Sequence, residues 1–154
     1  MTGGLKHKRR RRRRVEEPLT EDLLCELLES GDPASFLKEH DIPNRSLSDY
    51  LQDLLAIHNR ERVEVIRAAE INETYGYQLF AGQRKNPSRN ILLQLAFGMG
   101  LSLQEANRLL KTAGLSPLYC KSRRDAIIIF CLNRGCTLQT VNEELFRFKE
   151  DTVS

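Results

Sequence analysis

The chain has 154 residues, 40% of them hydrophobic, and 24 Lys and Arg against 21 Asp and Glu, which suits one domain with appendages and leaves a formal charge of only +3. No apolar run approaches 18 residues; the densest is Ile127, Ile128, Ile129 and Phe130. Neither a membrane span nor a secretory signal is therefore expected, since the basic N-terminus lacks a following apolar segment.

The charge is unevenly spread. Residues 1–14 carry Lys6, Lys8 and six consecutive arginines, Arg9, Arg10, Arg11, Arg12, Arg13 and Arg14. Residues 15–58 hold eleven acids against Lys38 and Arg45, and the remainder is mildly basic. Like charges repel and bury nothing apolar, so 1–17 is expected to be a disordered basic arm. Such an arm can track phosphates, fold back on the acidic segment, or be a solvated tail without a role.

An acidic helical segment is expected over 18–45. Thr20 opens a short helix with Leu23, Leu24, Leu27 and Leu28 on one face, and Ser30, Gly31, Asp32 and Pro33 break it. Pro33 suits the first turn of a second short helix to about His40. Ile42, Pro43 and Asn44 form a linker. Ser46 or Ser48 then caps a longer helix whose apolar stripe includes Leu47, Tyr50, Leu51, Leu54 and Leu55, with His58 at its edge.

Two short helices follow, over 62–69 and 73–81, broken at Glu70 and Ile71. Asn72 sits where a helix N-cap belongs, because its side chain can accept from free backbone N–H groups. Gly82 sits where the second helix must end, since glycine takes the left-handed conformation without steric cost. Such a pair is the geometry that carries one helix into a DNA major groove. The polar loop Gln83, Arg84, Lys85, Asn86, Pro87, Ser88 leads to a helix capped by Ser88. Gly100 and Ser102 separate that helix from the next, and Ala113 and Gly114 close it.

The C-terminal part repeats itself. RNILLQLAFGMGLSLQEANRLL at 89–110 aligns with RDAIIIFCLNRGCTLQTVNEEL at 124–145, an offset of 35 residues. Each copy reads as helix, glycine turn, Ser/Thr cap and helix, so a hairpin over 117–154 is expected to pack beside the first. No strand pattern occurs, and the expected fold class is all-α.

Residues 46–114, through Asn72, the TYGYQLFAG helix, the GQRKNPS loop and the LSLQEANRLLKTAG helix, resemble the lambda-repressor-like, Cro-type helix-turn-helix family of transcriptional regulators. The resemblance implies a five-helix DNA-binding domain over 46–116 with short helices added at both ends, as in a bacterial subgroup. It implies base contacts from Glu73, Thr74, Tyr77 and Gln78, the last suited to adenine N6 and N7. It implies backbone contacts from Asn72, Arg84, Lys85, Asn86, Ser88 and Arg89, which set register without reading sequence. Two departures stand out. The family has a small residue at Ile66 and a branched one at Gly76, facing each other across the turn, so the sizes are exchanged here. It also favours glycine where this chain has Glu70, which costs about 1 kcal/mol if φ is positive.

The expected function is a sequence-specific DNA-binding regulator acting on double-stranded DNA in the cytoplasm at the nucleoid, with a homodimer as the candidate assembly. The alternative is a protein-interaction adaptor on the same scaffold, with residues 18–45 or 117–154 as the partner surface. An enzyme is not expected, because no phosphate loop or nucleophile–base pair stands out. Neither a cofactor nor a metal is expected: Cys25, Cys120, Cys131 and Cys136 contain no CxxC pair and lack nearby histidine.

Overall fold

The computed structural model describes residues 20–39 and 46–154. The basic arm expected over 1–17, with Arg9 to Arg14, and the linker at Ile42, Pro43 and Asn44 lie outside the described residues. The chain divides into two units between residues 44 and 45, and the described residues are all-helical, with no strand among them.

In the first unit, α1 (Thr20–Glu29) and α2 (Pro33–Glu39) pack on each other. Asp32 accepts from the Ala34 N–H at 3.1 Å and steadies the start of α2. Leu24, Leu27 and Leu28 of α1 are exposed.

The second unit holds α3 (Leu47–Ile57), α4 (Arg62–Ala68), α5 (Glu73–Phe80), α6 (Arg89–Met99), α7 (Leu103–Thr112), α8 (Arg123–Asn133) and α9 (Leu138–Arg147). Ser46, Asn72, Ser88, Ser102, Ser122 and Thr137 each cap a helix by accepting a backbone N–H. One apolar core runs from Leu47 and Leu51 of α3 through Leu92 and Leu93 of α6 to Ile128, Val141 and Leu145 of the last two helices.

Within that core α4 lies against α6, and the contact needs small residues. A Cβ added to Gly98 would sit 2.8 Å from the Ala69 backbone nitrogen and 2.9 Å from its Cβ. Beside it, the buried Gln94 donates from Nε2 to the Ala69 carbonyl at 3.0 Å. That bond satisfies a carbonyl at the end of α4 that has no partner within the helix. Ile66 fills the space over Gly76: a Cβ there would come within 2.8 Å of Ile66 Cγ1. Ile66 thus occupies the volume that a side chain at position 76 would need. Glu70 has φ +55°, so the turn is made with a strained, exposed glutamate rather than glycine.

The two C-terminal hairpins match beyond the repeat seen in sequence. Gly100 and Gly135 both have positive φ, at +73° and +69°. Gly114 and Lys149, also 35 residues apart, have φ +77° and +62°. Leu118 N–H donates to Asn107 Oδ1 at 2.8 Å, and Val153 N–H to Asn142 Oδ1 at 2.9 Å. Arg89 donates to the carbonyls of Ser116 and Pro117, and Arg124 to those of Asp151 and Thr152. Each hairpin is therefore closed by the same two clamps. A crossed pair joins the copies: Arg89 reaches Asp125 at 3.0 Å and Arg124 reaches Asn90 at 2.9 Å. In addition, α8 packs on α7, and α9 on α6.

His58, at the end of α3, meets Glu105 at 2.9 Å, and Glu105 also closes the capping box of α7. Burial pushes the Glu105 carboxyl up, but the Ser102 N–H and the His58 ring outweigh it and hold it below its usual range. A lowered folded pKa contributes stability above the unfolded value, about 4.3, and loses it as pH falls through the folded value. Urea titrations from pH 6 to pH 3 should therefore show an acid-side loss that is smaller in Glu105→Gln; equal losses would contradict this. Gly98→Ala should lower stability by about 1–2 kcal/mol despite its better helix propensity, because the added carbon must push α4 from α6. An unchanged urea midpoint would show that the contact yields.

Candidate nucleic-acid interface

The stretch from Arg62 to Asn86 carries α4, the turn, α5 and an exposed loop. Glu61 and Glu64 form a capping box at the start of α4, and Ala69, Glu70, Ile71 and Asn72 make the turn to α5. Asn72 Oδ1 accepts the Tyr75 N–H at 3.1 Å. Gly76, Leu79 and Phe80 are buried, so that face of α5 is held inward. Gln52 of α3 donates to the Phe80 carbonyl at 3.1 Å and pins the far end of α5. Glu73 and Thr74, at its leading end, are exposed, while Tyr75, Tyr77 and Gln78 are half-buried.

Three arginines border the helix. Arg67 Nε donates to Glu73 Oε1 at 3.1 Å. The Arg62 guanidinium lies 4.8 Å from the Tyr77 ring centre, and Arg84 lies 5.4 Å from that of Tyr75. Arg84 Nε also donates to Gln78 Oε1 at 2.9 Å. Stacking of a guanidinium on an aromatic face is attractive and holds both groups in place. The two Arg-on-Tyr stacks were not legible in sequence: Arg62 and Tyr77 come from different helices, and Gly82 lies between Tyr75 and Arg84.

The expected site residues thus fall into groups. Glu73, Thr74, Tyr77 and Gln78 share α5, and Arg84 joins them through Gln78. Lys85 and Asn86 are exposed in the following loop. The Asn72 and Ser88 side chains are occupied as caps. Arg89 is drawn away, its guanidinium taken by Ser116, Pro117 and Asp125 in the hairpin clamp. The reason is the repeat itself, in which Arg89 and Arg124 play one role.

Elsewhere the polar chemistry is sparse. Among the described residues there is no cluster of His, Cys, Asp and Glu suited to a metal, and no helix long and apolar enough to cross a membrane. Burial, then the neighbouring Cys136 thiol and the Glu144 charge, push the Cys131 thiol up to about 11, which keeps it protonated and a poor nucleophile. Comparison with protein-family models, with curated proteins and with solved structures finds no match to this chain.

Proposed function

We propose that the chain is a sequence-specific DNA-binding regulator of the lambda-repressor-like, Cro-type helix-turn-helix kind, with α5 as the helix that enters the major groove. The observation that carries this reading is the outer side of α5. Its leading end is exposed, its inner side is buried, and its borders are arginines held on tyrosines. A surface of amide, hydroxyl, carboxylate and guanidinium groups on a short rigid helix suits base edges, and the loop at Lys85 and Asn86 suits phosphates. α3 to α7 supply the five helices that this reading needs.

The Gln78–Arg84 bond bears on which base is read. Gln78 Oε1 accepts from Arg84 Nε and keeps a second lone pair, so the pair offers one acceptor position beside donors at Gln78 Nε2 and the Arg84 Nη atoms. Guanine O6 and N7 accept from such donors, and the adenine pairing expected for Gln78 can use Nε2 with the remaining lone pair of Oε1. The arginines of 9–14 would add affinity without reading sequence.

Two measurements test the reading. Binding to DNA in low salt should be lost in a Gln78→Ala, Arg84→Ala double variant whose helical circular dichroism is intact; failure of the parent protein to bind any DNA would instead favour an adaptor. Deleting residues 1–14 should flatten the slope of log affinity against log salt while leaving sequence preference unchanged, by up to about one unit per lost phosphate contact. An unaltered slope would remove the arm from the interface.

A further inference from the structure

The repeat allows one hairpin to serve as a control for the other, and it singles out a pair of cysteines. At the end of α8 the Cys136 N–H donates to the Cys131 carbonyl at 3.0 Å, and the Gly135 N–H to the Leu132 carbonyl at 3.1 Å, with Gly135 at φ +69°. A helix that ends in this way brings the two residues flanking the turn together, and their side chains commonly make an apolar contact. The first hairpin keeps that contact apolar: the Leu101 N–H donates to the Ala96 carbonyl at 2.9 Å across Gly100. Cys131 and Cys136 stand 35 residues after Ala96 and Leu101, so both members of one contact are cysteine in the second copy.

The two cysteines are free, and their thiols share a hydrogen bond. A disulfide needs Cα atoms within about 7 Å and side chains that face each other. A backbone hydrogen bond and a thiol contact between the same two residues supply both conditions. Access to the two sulfurs is unequal. Cys131 is 1% exposed, at the floor of the groove between α8 and α9. Cys136 is half-buried and lines a cleft of about 1090 Å³, beside Gly98, Gly100, Gly135 and Phe146. The glycines carry no side chains into that cleft, which leaves room for a small molecule beside the Cys136 sulfur. Burial keeps the Cys131 thiol protonated, so it does not open an exchange; beside a modified Cys136 it is held in place as the second attacking group.

We infer that Cys136 and Cys131 form a site of reversible thiol–disulfide exchange, which takes a low-molecular-weight disulfide through the cleft and closes to a disulfide across Gly135. Cys136, as thiolate, attacks one sulfur of the small disulfide; a mixed disulfide forms, and one small thiolate leaves and is protonated by solvent. Cys131 then gives its proton to water and attacks the Cys136 sulfur, and the second small thiolate leaves in the same way. Two protein thiols are oxidised by two electrons, and one small disulfide is reduced to two thiols. This inference does not rest on DNA binding.

The test uses the full chain carrying Cys25→Ser and Cys120→Ser, which removes the two exposed thiols. After incubation with glutathione disulfide and alkylation in denaturant, mass spectrometry should find a single chain with neither alkylated cysteine nor adduct, lacking two hydrogens. Cys131→Ala and Cys136→Leu, each added to that chain, install the first hairpin's own residues, so both should fold, which circular dichroism checks. Cys131→Ala should retain one glutathione on Cys136, because no second thiol displaces it. Cys136→Leu should react at least about tenfold more slowly, since its one remaining thiol is buried and protonated. A two-cysteine chain that keeps glutathione or both alkylatable thiols, or a Cys136→Leu variant that reacts as fast, overturns the inference.

Discussion

Ala69 and Gly98 leave no room between α4 and α6 for one further carbon, and Gln94 fastens the contact by taking the Ala69 carbonyl. This packing holds the end of α4, and the turn from Ala69 to Asn72 can then leave it in only one direction. Glu70 bears the strain of that turn at φ +55°. Ile66 over Gly76 and the Gln52 bond to Phe80 fix the inner side of α5, so its opposite side is left outward. The candidate interface therefore depends on small residues and one amide buried well behind it.

The same economy governs the C-terminal half. One 35-residue hairpin is built twice, each copy closed by an arginine on two carbonyls and an asparagine on one N–H. Because the clamps act on backbone groups, they tolerate side-chain divergence around them. The first copy has used that freedom to bury Leu95 in the common core, and the second to place Phe130 at the surface. Arg89 and Asp125 link the copies, so the second hairpin shares one core with the rest of its unit.

Much of the local structure was legible in the sequence, because it rests on residues whose role is local. Ser46, Asn72, Ser88, Ser102 and Thr137 announce helix starts, and Gly82, Gly100, Gly114 and Gly135 announce ends, since capping is a matter of a side chain and the next turn. Contacts between distant residues were not legible. Nothing in the spacing of Arg89 and Asp125, or of His58 and Glu105, sets them apart from other charged residues on exposed faces. Lys149 hides its equivalence to Gly114, because a lysine at positive φ has no compositional signature. At the candidate interface, the residues of α5 were named through the family resemblance, and the Arg62 and Arg84 stacks required the fold.

The most direct test of the central claim, that α5 reads DNA, is selection of bound sequences from a random duplex pool with the full chain. The account predicts enrichment of a short recurrent sequence, lost when Gln78 and Arg84 are both replaced by alanine in a folded protein. A pool that stays random, or an enriched sequence that survives those replacements, would contradict it.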